Sequence, residues 1–371
     1  MNLRDYLKDL VDNLYTCART QCGFCVYECP VRRVLGFETY SSRGRMHLAR
    51  GIVEGNVDLT EKLVDIYFKC TLCGYCEAVC ALDNTRIFRN VRKFLVSKNA
   101  VPRIHREIRD SIVSSDNPYS AERRAKTPVQ VLPPRKSKTI IFLGCTIPIS
   151  RRQILLSLKK FMEKSGMTLG YLGPDEYCCG LVLYEIGFEK EFLEQAEKNI
   201  KSFKESGVER IVTICPGCYI ALKERYSEYF DVDYEVLHIS EYLYELMNKN
   251  KIKYRKLSGE IVYHDPCHLT RHGKVVEEPR AVLEWLGLTV LEAPHYNKYY
   301  SRCCGGSILS FYPDLASEIG VMRLRELLST GAETIVSGCE ICEIALDKAA
   351  MRENVFVDVL DIVEVLSTAL S

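Results

Sequence analysis

Gly207-Val208-Glu209-Arg210-Ile211-Val212, followed by Cys215-Pro216-Gly217-Cys218, returns later in the chain as Gly331-Ala332-Glu333-Thr334-Ile335-Val336, followed by Cys339 and Cys342. The offset is 124 residues for both cysteines. Further out, Cys179 and Cys304 lie 125 apart, and Cys145 and Cys267 lie 122 apart. Val236-Leu237-His238-Ile239 likewise matches Val359-Leu360-Asp361-Ile362. A near-constant offset over four cysteine positions and two apolar stretches means internal duplication. The period is too long for a solenoid, so the reading is two similar half-domains facing each other, 139–256 and 257–371. Short β-branched runs predict strands at 139–143, 210–214, 234–237, 260–263, 288–291, 334–336 and 355–357. A helix is expected near 150–165. Strands alternating with amphipathic helices indicate α/β layers with largely parallel sheets.

The preceding residues read differently. Leu3, Leu7, Leu10, Val11 and Leu14 recur at helical spacing ahead of Cys17. Met46, Leu48, Ala49 and Ile52, then Leu59, Leu63 and Ile66, continue that pattern. Residues 1–110 are therefore expected to be an all-helical domain. Asn117-Pro118, Pro128 and Pro133-Pro134 mark 111–138 as a linker. The expected fold class is α + α/β: a helical domain followed by two duplicated α/β half-domains.

The chain has 371 residues, 27% of them charged, and a net charge of +1, which gives no global reason to expect nucleic acid. No apolar run approaches the roughly 20 residues of a membrane-spanning helix. Met1-Asn2-Leu3-Arg4-Asp5 holds no apolar signal core. The expectation is a cytoplasmic protein that reaches a membrane only through a partner. In that setting 18 cysteines argue for metal rather than disulfides. Charge is uneven: residues 84–138 hold 14 Lys/Arg against 4 Asp/Glu, while 139–371 are acidic. A solvated basic surface is one reading. A docking strip for an acidic or membrane-bound partner is the other.

The cysteines fall into four groups with none left over. Cys70-x2-Cys73-x2-Cys76-x3-Cys80 has the spacing of a cubane [4Fe–4S] site, in which the fourth thiolate commonly reaches a second cluster. Zinc sites more often pair two separated C-x2-C knuckles. The first run, Cys17-x4-Cys22-x2-Cys25-x3-Cys29-Pro30, departs by a longer first gap, with Arg19 at the usual first position. The expected partition is Cys17, Cys22, Cys25 and Cys80 on one cubane, and Cys70, Cys73, Cys76 and Cys29 on the other.

The remaining ten form two sets of five: Cys145, Cys178-Cys179-Gly180, Cys215 and Cys218; then Cys267, Cys303-Cys304-Gly305, Cys339 and Cys342. Five thiolates per set mean a spare ligand or an unusual cluster. Gly180 and Gly305 would let the backbone turn tightly there. Several of these cysteines follow predicted strands, so each set is expected to converge at the carboxyl edge of its sheet.

With these motifs stand Cys22-Gly23-Phe24-Cys25, Ser42-Arg43-Gly44-Arg45 and His264-Asp265-Pro266-Cys267-His268. Together they resemble the cysteine-rich, CCG-domain iron–sulfur oxidoreductases, among them the D-type catalytic subunit of heterodisulfide reductase. The resemblance covers essentially the whole chain, as a helical two-cluster ferredoxin domain and two CCG half-domains. It implies a noncubane [4Fe–4S] cluster in each complete CCG set, and a disulfide cleaved between the pair. It also implies a redox partner subunit: a flavoprotein, a membrane cytochrome or a quinone-linked subunit. The wider family includes electron-transfer subunits of flavin-linked lactate, glycolate and glycerol-3-phosphate dehydrogenases, which is the alternative function. His268 is a candidate proton donor, and His264 its companion; support of the metal site by hydrogen bonding is the other reading.

Overall fold

The computed structural model describes residues 1–119 and 131–370. The first part is helical: Leu3–Leu7, Val11–Thr20, Ser42–Val53, Glu61–Phe68, Asn84–Ser97 and Arg103–Ser115 are its main elements. Helix Asn84–Ser97 buries Ile87, Phe88, Val91, Phe94 and Leu95 on one face. These pack with Leu3, Leu7, Leu10, Leu14, Met46, Ala49 and Leu63. Leu59 does not join them; it precedes the N-cap Thr60 and stays exposed. The last helix runs past position 110, where the sequence pattern ends the helical part. It closes at Asp116, in the left-handed conformation. Pro128 lies outside the described residues. Arg135 is not in open linker but bridges antiparallel to Tyr171.

Among the described residues seven strands follow: β1 (Thr139–Phe142), β2 (Arg210–Thr213), β3 (Glu235–His238), β4 (Glu260–His264), β5 (Thr289–Leu291), β6 (Thr334–Ser337) and β7 (Asp358–Asp361). They form two sheets, β1-β2-β3 and β5-β4-β6-β7, with every pairing parallel. The duplication maps β1, β2 and β3 onto β4, β6 and β7, and β5 is an added edge strand. The seventh strand corrects the sequence reading of 355–357. Asn354 ends the preceding helix with φ 52°, Phe356 is exposed, and pairing with β6 begins only at Asp358. The match of Val236-Leu237-His238 to Val359-Leu360-Asp361 is the better guide to that strand.

The half-domains share one core. Ile141, Val212 and Leu237 of the first sheet pack with Ile261, Tyr263 and Val336 of the second. Helix Arg152–Ser165 lies on Ile362–Ala369, and its counterpart Glu277–Trp285 lies on Ile239–Asn248, a reciprocal arrangement. His238 ties the halves at the centre. Its Nδ1 accepts from the Ser240 amide at 3.2 Å, so Nε2 carries the proton and donates to Ile214 O (2.9 Å) and Gly338 O (3.1 Å). Burial holds its pKa down at about 4.

The helical part docks against the first half-domain through one shared apolar core, with ion pairs beside it. Lys93 pairs with Glu189, Arg109 with Glu191 at 3.3 Å, and Arg89 lies 4.1 Å over the Tyr184 ring. Three cations of the basic stretch are thus used within the chain, against its own acidic half. Arg92 is buried and donates to the Tyr67, Phe68 and Cys70 carbonyls and to Glu185 O. Backbones meet closely there: a Cβ on Gly187 would sit 2.7 Å from Arg92 C.

Candidate iron–sulfur centres

Helix ends and short turns position the first eight cysteines. Cys17 lies in the last turns of Val11–Thr20, Cys25 on Phe24–Tyr27, Cys29 at the N-cap of Pro30–Leu35, and Cys76 on Tyr75–Ala78. Burial, then the neighbouring Cys25, Cys80 and Cys22 thiolates, pushes the Cys17 thiol up to about 11. Cys29 is raised by burial and by Cys70 and Cys73. The fourth cysteine of each run therefore lies with the first three of the other. The Ser42 hydroxyl reaches both Cys25 and Cys76, one from each group. Arg45 is fully buried beside Cys70 and Cys29, held by Nε to Ile66 O at 2.9 Å and by a bond to Tyr40 O. Its charge offsets that of gathered thiolates.

Of the other ten cysteines, Cys145, Cys215, Cys218, Cys267, Cys339 and Cys342 follow strands of the parallel sheets and so collect at carboxyl edges, whereas Cys178-Cys179 and Cys303-Cys304 come in from the turns after Gly173–Asp175 and Lys298–Tyr300. Cys215 and Cys339 cap the helices after β2 and β6, each Sγ accepting the amide of Cys218 or Cys342 at 3.4 Å. Gly180 N donates to Cys178 Sγ (3.4 Å), and Gly305 N to Cys303 Sγ (3.3 Å). Both glycines are left-handed, with φ 76° and 82°. At Gly305 a Cβ would also sit 2.6 Å from Ala316 O. All ten thiols, five from each half, line a single cavity of about 170 Å³. Leu181, Val182, Phe311 and Ile341 supply apolar wall, and Glu185, Glu340 and His268 are its other titratable side chains apart from tyrosine.

One thiol crosses between the two systems. Cys73 packs with Cys267 and Cys303; the neighbouring Cys303 thiol lowers Cys73 to about 6, and Arg271 adds positive charge nearby. Arg271 Nε donates to Cys73 O at 2.6 Å, and His272 Nε2 meets Leu72 O at 3.0 Å.

The donor set fits iron–sulfur clusters. All eighteen cysteines are thiols, all but Cys22 are at least partly buried, and they converge in groups rather than in disulfide pairs. Soft anionic sulfur with backbone N–H···S support is what such clusters require.

His268 lines the cavity, but both ring nitrogens are engaged: Nδ1 with Cys267 Sγ (3.4 Å) and Nε2 with Glu185 Oε1 (2.7 Å). Burial opposes its charging, yet the Glu185 carboxylate and Cys267 thiolate raise its pKa well above the ordinary value. His264 is buried, with Nδ1 taking a hydrogen bond from Arg323. Sequence reasoning misses Glu185, Arg92, Arg271 and Arg323. Each acts on a residue far along the chain, and none sits in a cysteine motif.

The comparisons with known proteins agree with this architecture. The family model of the cysteine-rich domain (CCG) matches residues 139–223 and 261–347, once in each half, and that of the 4Fe-4S dicluster domain matches 14–84.

The chain carries two copies of the cysteine-rich CCG domain and one 4Fe-4S dicluster domain.

This CCG protein is 29% identical to the D-type subunit of the dihydromethanophenazine:CoB--CoM heterodisulfide reductase of Methanosarcina barkeri, over 95% of this chain and 93% of that one. The corresponding Methanosarcina mazei protein is 27% identical over the same shares. EtfAB:quinone oxidoreductase of Syntrophomonas wolfei is 32% identical over 67% of this chain but only 37% of its own length. The CCG protein is thus an iron–sulfur oxidoreductase related to the D-type chain of heterodisulfide reductase. Among the described residues, no helix is long and apolar enough to cross a membrane.

Proposed function

We propose that this chain is the subunit that reduces a disulfide, or a related sulfur substrate, in a complex with a redox partner. Cys17, Cys22, Cys25 and Cys80 would hold one cubane [4Fe–4S] cluster, and Cys29, Cys70, Cys73 and Cys76 the other. The two sets of five would each hold a noncubane cluster. When bound, such clusters store and release electrons singly.

The observation that carries this reading is the shared cavity: ten thiols from both halves face one space with apolar walls. Reduction of RS–SR′ takes two electrons and two protons and gives RSH and R′SH. A space flanked by two one-electron centres suits that stoichiometry. Leu181, Val182, Phe311 and Ile341 seat the substrate and exclude water. His268, clasped between Glu185 and Cys267, orients Cys267, and its Nε2 proton is shared with Glu185.

The test is anoxic purification with its partner, then oxidation of reduced methyl viologen against CoB–CoM heterodisulfide and against glutathione disulfide. Disulfide-dependent turnover supports the proposal. The EtfAB:quinone oxidoreductase relative favours a second reading, an electron-transfer subunit without its own substrate site. Turnover with neither disulfide, alongside electron passage from a reduced flavoprotein to a quinone analogue, would establish that second reading instead.

A further inference from the structure

The geometry points to His264 as a fixed N–H donor to the thiolates of the second five-cysteine set alone, which makes the two CCG centres unequal in potential, the second the higher. This rests on the cluster assignment proposed above.

His264 ends β4 in register with Ser337, two residues before Cys339. In the first half the same place, in register with Thr213 two residues before Cys215, is held by Phe142. Phe142 is buried against Phe203, with ring centroids 6.2 Å apart, and carries no polar atom in its side chain.

Arginine settles the tautomer. Arg323 Nε donates to His264 Nδ1 at 3.1 Å. A guanidinium has no acceptor and keeps its protons, so Nδ1 must offer its lone pair and the imidazole proton must sit on Nε2. Arg323 cannot turn away. It is buried, and its other bonds run to Tyr296 O at 2.9 Å and Glu326 Oε2 at 2.6 Å.

The Nε2–H is buried and has no hydrogen-bond partner among oxygen, nitrogen or sulfur atoms of the described residues. The imidazole, Cys304 Sγ and Cys342 Sγ all lie within 4.8 Å of one another. With Nδ1 taken, Nε2 is the nitrogen left to those sulfurs. A buried N–H without an acceptor is costly, and thiolate sulfur accepts. As a protonated donor, Nε2 supports the thiolates and does not itself ligate metal. Hydrogen bonds to cluster sulfur stabilise the more negative, reduced state and raise the potential. The centre favoured in this way is the one beside Cys73, so the centre next to the helical domain fills first.

The experiment is a redox titration of the native protein followed by electron paramagnetic resonance, with iron content measured alongside. His264→Phe copies the first half. It should lower the midpoint of one CCG signal, leave the other unmoved and keep the iron. His264→Gln retains an N–H and should restore much of the shift. Arg323→Met frees the tautomer and should shift the same signal downward by less. Unmoved midpoints in His264→Phe, at full iron content, would overturn the inference. So would loss of one cluster's iron, which would make His264 a ligand. If His264→Phe fails to fold, a native midpoint in Arg323→Met overturns it and a lowered one supports it. A wild type lacking two CCG signals would instead overturn the proposed function.

Discussion

Cys73, in the second cysteine run of the helical part, packs against Cys303, in the second CCG set. Arg271 fastens this junction by donating to Cys73 O, Tyr299 O and Ser301 O. The loop after Cys267 is thus clamped to the loop that carries Cys70, Cys73 and Cys76. On the proposed cluster assignment, electrons leaving the helical part would enter the second half here.

Arg271→Ala removes three charge-assisted bonds from a half-buried site, each worth about 1.5–3 kcal/mol before relaxation. The net loss of stability should be about 2 kcal/mol, since solvent takes up part of what the half-buried group loses. Turnover driven through the partner should fall more than turnover driven by a small reductant such as dithionite. Equal losses with both donors would argue against a junction at this point.

Gly187→Ala and Gly207→Ala form a controlled pair. Both positions are left-handed, with φ 93° and 64°, so each pays the roughly 1–2 kcal/mol of a Cβ in that region. Only at Gly187 does the new Cβ meet backbone, the Arg92 carbonyl carbon at 2.7 Å, whereas Gly207 has nothing within 4 Å. Gly187→Ala should therefore cost about 1–3 kcal/mol more, since overpacking carries that penalty. Thermal denaturation of the two variants checks this, and similar midpoints would mean the domains do not meet as closely as described.

His238 should make stability depend on pH. Its folded pKa of about 4 lies below the ordinary 6.5, so it folds neutral. Above pH 6.5 neither state is protonated there, and stability is at its fullest. As pH falls from 6.5 towards 4 the unfolded chain takes up a proton that the folded one refuses, and stability drops by about 3 kcal/mol across that window. His238→Gln removes this titration. Denaturant midpoints between about pH 7 and pH 4.5 should fall less steeply in the variant than in the wild type, although the variant is the less stable at neutral pH.

Much of this was legible in the sequence because cysteine spacing and the 124-residue offset are local patterns that survive without coordinates. The placement of β7 was not. The apolar letters of Val355, Phe356 and Val357 look like a strand, yet Asn354 turns the chain and leaves Phe356 in solvent. Arg92 reads as one more cation in a basic stretch; its burial follows from four carbonyls contributed by other segments. Glu185 reads as a residue of an ordinary amphipathic helix, and only the facing of the two halves brings it to His268. His264 differs from Phe142 in plain sight, but its role depends on Arg323, which the sequence places in another helix.

The central claim is that the shared ten-cysteine cavity is where substrate is reduced and the eight-cysteine part is its supply. The most direct measurement compares Cys304→Ser with Cys73→Ser, using a strong reductant that reaches the CCG centres without the partner and CoB–CoM heterodisulfide as acceptor. Anoxic wild type should hold about 16 iron atoms, as four 4-iron clusters require. Serine is the poorer iron ligand in both variants. Cys73→Ser should slow delivery from the partner and still turn over with the strong reductant. Cys304→Ser should lose disulfide reduction even then, with the cubane signals intact. Full activity in Cys304→Ser would contradict the account.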